Sequence, residues 1–61
     1  MKPKCKLVGE DGNVFNIIGR VSESLKRAGL KTEAVEFQNT AFNSGSYDEV
    51  LQLAMKYVEV I

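Results

Sequence analysis

The feature that most constrains the fold is a single apolar stripe that runs through residues 14–28 and then stops abruptly. Its members recur at helical spacing, which places them on one face of an amphipathic helix: Val14, Ile18, Val21, Leu25 and Ala28, widened by Phe15 and Ile17. Lys26 and Arg27 fall in the last turn, where positive charge is favoured. Gly29 follows at the position that often takes the left-handed conformation, and Leu30 is then placed to touch Leu25. The sequence therefore predicts a Schellman motif at the end of this helix.

The start of the same helix is predicted by Asp11-Gly12, a strong turn signal. Either Asp11 or Asn13 can accept hydrogen bonds from the first free backbone N–H groups. Gly19 lies inside the helix, where glycine costs roughly 0.5–1 kcal/mol relative to alanine. We interpret Gly19 as permitting the close approach of another backbone, either within the fold or across a dimer.

Two further helices are expected. Thr32 is predicted to cap the second, which has a broad apolar face over residues 33–43 formed by Ala34, Val35, Phe37, Ala41 and Phe42. Ser46 and Glu49 match a capping box, in which the Ser46 side chain accepts from the Glu49 amide and the Glu49 carboxylate accepts from the Ser46 amide. The third helix follows, with one apolar side made of Tyr47, Val50, Leu51, Ala54, Tyr57 and Val58.

Short strands are predicted at both ends of the chain. Residues 4–8 alternate lysines with Cys5 and Leu7, a pattern that indicates a half-buried edge strand. Residues 57–61 are rich in β-branched side chains and predict a second strand beside the first, with Glu59 near the lysines. The alternative is that the third helix continues to residue 61. We therefore predict a single α+β domain over residues 1–61, β-α-α-α-β, with three short helices packed on a two-stranded sheet whose strand direction stays open.

The small size of the chain makes self-association an expected source of stability. A chain of 61 residues buries only about 60% of its unfolded surface. Its single cysteine cannot form an intramolecular disulfide, and without histidine it cannot build a His/Cys zinc site. Either the three layers pack into an efficient core or the chain pairs with a copy of itself, so a homodimer is one of two predictions. A lone cysteine, with no membrane-spanning or signal-like apolar run, predicts a cytoplasmic location.

The charges divide sharply between the two halves of the sequence. Residues 1–31 contain seven basic and three acidic side chains, whereas residues 32–61 contain one basic and five acidic ones, so the halves carry +4 and −4. The simplest interpretation is that the halves dock against each other, and a bipolar surface that pairs two copies is the next. The third is nucleic-acid binding through the basic first half, at Lys2, Lys4, Lys6, Arg20, Lys26 and Arg27. The zero net charge makes nucleic acid the less expected partner.

Neither catalysis nor a cofactor is expected. The chain lacks histidine and the common catalytic patterns, and Cys5 lies on the buried face of a predicted strand, where it serves as a small apolar side chain. The carboxylates of Glu10, Asp11, Asp48 and Glu49 could supply oxygen ligands to Ca²⁺ or Mg²⁺. Their spacing does not match a calcium loop, and acids near helix starts are favoured electrostatically, so we interpret them as turn and cap residues.

A protein-contact surface is the functional hypothesis that remains. Phe15 and Phe37 fall near the flanks of their apolar stripes, and an exposed aromatic ring there would mark a contact surface. Glu10 and Asp11 are not fully required for capping and, together with Asn13, are further candidate contact residues. We therefore predict a small non-enzymatic protein-interaction or regulatory module.

The segments "KLVGEDGNVFNIIGRV" and "SGSYDEVLQLAMKYVEV" give the chain a resemblance to a group of short bacterial proteins of uncharacterised function, some associated with phages or mobile elements. The signatures are the "LVGEDGN" loop and an "SGxYD" turn before the last helix, and the resemblance extends over nearly the whole chain. Ser46 stands where an acid would be expected, and both residue types can cap. The resemblance implies a bacterial cytoplasmic context and supplies no activity.

Overall fold

The α+β architecture predicted from the sequence is confirmed. The computed structural model describes residues 2–7 and 13–61. Three helices pack on a two-stranded sheet in the order β1 (Lys4–Cys5), α1 (Val14–Arg27), α2 (Lys31–Phe42), α3 (Tyr47–Tyr57) and β2 (Glu59–Val60). The predicted turn at Asp11-Gly12 lies outside the described residues.

The two strands are parallel, with Lys4 opposite Glu59 and Cys5 opposite Val60. The Glu59 and Ile61 amides donate to the Pro3 and Cys5 carbonyls at 2.8 and 3.0 Å. Each strand is shorter than predicted. The second begins only at Glu59 because α3 continues to Tyr57. The alternative in which α3 runs to residue 61 is wrong. Glu59 does lie opposite a lysine of β1, as expected.

Both ends of α1 follow the predicted local rules. The Asn13 side chain accepts from the Phe15 amide at 2.9 Å, which caps the helix start. At the other end Gly29 has φ 82°, the left-handed conformation. Its amide donates to the Lys26 carbonyl at 3.0 Å and the Leu30 amide donates to the Leu25 carbonyl at 2.8 Å. These two bonds define a Schellman motif, so that prediction is confirmed.

The predicted cap of α2 is wrong. The helix begins at Lys31, one residue before Thr32, and its N-cap is Leu30, which has no side-chain cap hydrogen bond. The Leu30 amide donates the hydrogen bond that ends α1. The Leu30 carbonyl accepts from the Ala34 amide at 3.0 Å, which is the first hydrogen bond of α2. Its half-buried side chain packs against the core. Because one apolar residue serves both helices, no residue is left between them for a polar cap.

The capping box of α3 is half confirmed. The Ser46 hydroxyl accepts from the Glu49 amide at 3.2 Å, as predicted. The Glu49 carboxylate instead accepts from the Gly45 amide at 3.0 Å, one residue before the predicted donor. Ser46 is fully extended, with φ −156° and ψ 161°, and the reaching side chain therefore meets the preceding amide. Glu49 is held across the α2–α3 connection by this bond.

The core lies where all three helices and the sheet meet. Phe37 of α2 is its largest side chain and is fully buried, with the Tyr57 ring edge-on at 5.5 Å between centroids. The other buried apolar residues come from β1, the three helices and the short segments beside the strands: Cys5, Leu7, Ile17, Ile18, Val21, Leu25, Ala34, Ala41, Val50, Ala54 and Val58. Cys5 is thus a core residue, as predicted.

Gly19 does not permit a close backbone contact among the residues that the structure describes. Its position on α1 is exposed, and a β-carbon built there would meet no atom within 4 Å. The contact was inferred from the cost of glycine in a helix, but that cost does not require a compensating neighbour. The interpretation is therefore wrong for the described part of the fold, and its dimer form stays a prediction.

Candidate protein-interaction site

Three aromatic side chains remain exposed at one end of the helical layer. Phe15 near the start of α1 is 64% exposed, Phe42 at the end of α2 is 59% exposed, and Tyr47 at the start of α3 is 40% exposed. The alternation of helix directions brings these three termini together. The Phe15 and Phe42 rings lie 6.1 Å apart between centroids and are tilted by 36°. Each ring covers part of the other, and more than half of each residue stays in water.

These rings border a groove of about 200 Å³. We call it the aromatic groove. Residues from all three helices and the α2–α3 connection, most of them apolar, line it: Val14, Phe15, Ile18, Ala41, Phe42, Ser44, Gly45, Ser46, Tyr47 and Val50. Ile18, Ala41 and Val50 are buried and form its floor. The groove is smaller than the roughly 300–1,000 Å³ of typical small-molecule sites, which favours a single inserted side chain as its occupant.

The partner-contact residues predicted from the sequence are only partly brought together. Phe15 is exposed on the groove, as the contact hypothesis requires, and Asn13 is exposed directly before α1. Phe37 is fully buried and cannot touch a partner, so its assignment is wrong. Its position on α2 aligns with Ala34 and Ala41 on the core face, at the centre of the stripe rather than at its flank. Glu10 and Asp11 lie outside the described residues.

Phe42 and Tyr47 are the residues that sequence analysis missed. Both were assigned to apolar faces of their helices, yet Phe42 is the last residue of α2 and Tyr47 the first of α3. A side chain at a helix end has neighbours on only one side along the axis, so it is buried only if another element covers the end. Their positions, at the end of the predicted apolar face over residues 33–43 and directly after the predicted Ser46 cap, were the available signal.

A second groove gathers basic side chains between β1 and α1. Its volume is about 410 Å³, and Lys4, Lys6, Arg20 and Arg27 line it together with Cys5, Glu23, Ser24 and Ile61. We call it the basic groove. Arg27 forms an ion pair with Glu23 one helical turn earlier. Lys26 does not line this groove, and Lys2 lies elsewhere, where its ammonium group donates to the Met55 carbonyl at 2.8 Å. Four of the six predicted nucleic-acid contacts therefore converge.

The part of the chain that the structure describes contains no group of three or more acidic, cysteine or histidine side chains that could hold a metal ion. Asp48 and Glu49 are adjacent in α3, whereas the other two acids of the metal alternative are outside the described residues. Among residues 2–7 and 13–61, no helix combines the length and apolar character needed to cross a membrane.

No known protein family, curated protein or solved structure matches this chain. The resemblance to short bacterial proteins therefore stays a prediction. The aromatic groove and the basic groove are the features of the molecule that indicate a function.

Proposed function

We propose that this protein is a small non-enzymatic protein-interaction or regulatory module whose contact surface is the aromatic groove. The observation that carries the proposal is the exposure of Phe15 and Phe42, side by side, at the rim of a concave apolar surface. Aromatic side chains are enriched at protein interfaces because they bury a large area with few rotatable bonds. The absence of histidine from the sequence supports a role without acid–base catalysis.

The simplest alternative is that the two rings stabilise only the packing of α1 on α2. An aromatic pair adds about 0.5–1.5 kcal/mol beyond its buried area when it is well shielded. With 64% and 59% of these residues in water, most of the possible burial is not used within the fold. Smaller apolar residues would pack α1 on α2 equally well. The alternative therefore does not explain why large rings are exposed at these two positions.

The size of the surface indicates what affinity it can support. The three exposed aromatic residues offer roughly 300 Å² when scaled to the area such residues bury. At about 25 cal/mol per Å², covering that area contributes about 8 kcal/mol before the roughly 4–15 kcal/mol cost of association. A standard interface buries about 800 Å² per partner. The groove therefore serves best as the anchor of a peptide-sized or transient contact.

The proposal is tested by selecting peptides from a random library on the wild-type protein. We expect enriched peptides to lose at least about tenfold in affinity for a Phe15→Ser/Phe42→Ser double variant, since hot-spot aromatic residues dominate such contacts. Val35→Ser is the matched control, because Val35 is 52% exposed and does not line the groove. Equal binding to the double variant, or no enriched peptide, would contradict the proposal. Circular dichroism melts verify that each variant is folded.

A homodimer is the second part of the proposal. It is supported by the marginal size of the chain and by the +4/−4 division of charge, which favours contact between the basic groove of one copy and acidic residues of another. Sedimentation velocity over a range of concentrations is expected to reveal a dimer that dissociates as salt screens these charges. A strictly monomeric protein at the highest concentration would contradict the homodimer proposal.

We propose that the protein acts in the bacterial cytoplasm, because a single cysteine that remains a free thiol suits a reducing compartment. The mobile-element context implied by the resemblance is part of the same proposal. Expression in a bacterial host followed by fractionation tests the compartment, and recovery in the periplasm would contradict it.

Nucleic-acid binding is the second candidate function, favoured by the convergence of Lys4, Lys6 and Arg20 at the basic groove. Two features oppose it. Glu23 shares the groove and pairs with Arg27. None of the described residues that line the groove is aromatic and could stack on a base.

Fluorescence anisotropy with labelled single-stranded DNA and RNA tests this candidate. It predicts binding that weakens steeply with salt and that is reduced by Lys4→Gln/Arg20→Gln but not by Lys56→Gln on α3. Unchanged anisotropy at low ionic strength would rule it out.

A further inference from the structure

The rim of the aromatic groove carries fixed negative charge. The Glu49 carboxylate accepts from the amide of Gly45, a residue that lines the groove. A β-carbon built on Gly45 would lie 3.8 and 3.9 Å from the two Glu49 carboxylate oxygens. Asp48 is exposed and directly follows Tyr47 of the groove. The Glu49 carboxylate is therefore held beside the groove by a hydrogen bond, and Asp48 precedes it in the first turn of α3.

Helix dipoles offset this charge only in part. Two helix N-termini (α1 and α3) and one C-terminus (α2) meet at the groove. With about half an elementary charge at each terminus, their sum is about +0.5, against two carboxylates. The charges of Asp48 and Glu49, both in the first turn of α3, exceed this partial positive charge, and no basic residue is among the described residues that line the groove. An apolar surface with this rim is complementary to an apolar side chain that has positively charged neighbours.

We propose that the occupant of the aromatic groove is a partner-protein segment in which one large apolar or aromatic side chain is flanked by lysine or arginine. The apolar side chain enters the groove between Phe42 and Tyr47, and the flanking cations lie near Asp48 and Glu49. Cations that reach the faces of Phe15 or Phe42 gain a further attraction to the exposed rings. This inference depends on the proposed function, because it names the partner class for the same groove.

Three synthetic peptides of equal length test the charge preference. Each has a central phenylalanine–leucine pair, flanked on both sides by lysines, by glutamines or by glutamates. Titration of ¹⁵N-labelled protein at low ionic strength measures the affinities and maps the shifted amides. We expect the lysine peptide to bind about tenfold more tightly than the glutamate peptide, the scale of two exposed ion pairs gained or lost. We also expect shifts centred on Phe15, Phe42 and Tyr47.

The double variant Asp48→Asn/Glu49→Gln isolates the role of the rim. The glutamine oxygen can still accept from the Gly45 amide, so the α2–α3 connection keeps its bond while both charges are removed. In this variant the affinities of the three peptides are expected to converge to within about twofold, the remaining effect of distant charges in salt. Glu36→Gln on α2, an exposed acid that does not line the groove, is the matched control and should keep the preference.

The outcomes separate the two proposals. If all three peptides bind the wild type equally and Phe42→Ser abolishes binding, the groove is a contact surface but the inferred partner class is wrong. If none shifts the groove residues while library-selected peptides do, the class is again wrong. If sedimentation without peptide reveals a dimer that Phe42→Ser dissociates, the occupant is a second copy, and this inference is overturned.

Discussion

At the scale of single residues, the three phenylalanines show that side-chain type does not determine environment. Phe37 is fully buried with Tyr57 against its ring, whereas Phe15 and Phe42 keep most of their surface in water. All three lie on helices. Phe37 is in the middle of α2 and faces α1 and α3, while the other two lie at helix ends that no further described element covers. The function proposed for this protein depends on that difference.

Phe37→Ala is expected to lower the free energy of unfolding by about 3–5 kcal/mol, because it leaves a cavity at the centre of the core. Phe42→Ala is expected to cost about 1 kcal/mol or less, as a mainly exposed substitution that loses one ring pair. Urea denaturation measures both. Since a domain of this size has a total stability of only about 3–9 kcal/mol, Phe37→Leu provides a folded variant if alanine unfolds the chain. Equal losses at the two sites would contradict the burial described above.

At the scale of elements, local signals set the ends of the helices. Gly29 ends α1 in the left-handed conformation, and Ser46 caps α3 through its hydroxyl. Both were recognisable from the sequence, because each motif depends on residues no more than a few positions apart. The start of α2 was not recognisable, since Leu30 acts there through a backbone carbonyl and core packing rather than through a capping side chain.

Two glycines of the α1 region are expected to respond in opposite directions to alanine. Gly29→Ala should destabilise the protein by roughly 1–2 kcal/mol, because φ of 82° is strained for a residue with a β-carbon. Gly19→Ala should stabilise it by about 0.5–1 kcal/mol, because the site is an exposed helix interior with free space for a methyl group. Thermal melts followed by circular dichroism compare them. Destabilisation by Gly19→Ala would instead point to a contact at that face, such as a dimer.

The two predicted cap residues make a similar pair. Ser46→Ala removes an observed cap hydrogen bond and is expected to cost about 1 kcal/mol. Thr32→Ala lies inside the first turn of α2, makes no cap hydrogen bond, and should be neutral or stabilising by a few tenths of a kcal/mol, at most about 0.7, because alanine is the better helix former. Denaturation midpoints at constant m-value provide the comparison. A loss of about 1 kcal/mol in Thr32→Ala would restore the sequence-based assignment.

At the scale of the whole molecule, the parallel ribbon closes the fold by joining its two ends. In the sequence, all three helices come between the two paired strands. The strands can therefore pair only when the helical layer is complete. Cys5 in the pairing and Val58 directly before β2 are buried, which ties the ribbon to the core. Parallel strands require a long crossover connection, and here the three-helix segment supplies it.

The parallel register predicts a specific pattern of hydrogen exchange. The amides of Leu7, Glu59 and Ile61 donate across or beside the ribbon at 3.3, 2.8 and 3.0 Å and should exchange slowly. The Val60 amide lies between two donors of the same strand and therefore faces away, so it should exchange faster. Native-state exchange followed by NMR measures these rates. Fast exchange at both Glu59 and Ile61 would show that the ribbon does not persist in solution.

The sequence by itself determined the element order, the amphipathic faces and two helix caps, because periodicity and capping depend on neighbouring residues. It also identified Phe15 as a candidate contact residue and Cys5 as a core residue. Only the tertiary structure decided the strand direction, the burial of Phe37, and the meeting of Phe42 and Tyr47 with Phe15 at one groove. It also placed the Glu49 carboxylate on Gly45 at that groove. These features depend on which helix ends lie beside each other, and that is set by packing among residues far apart in the chain.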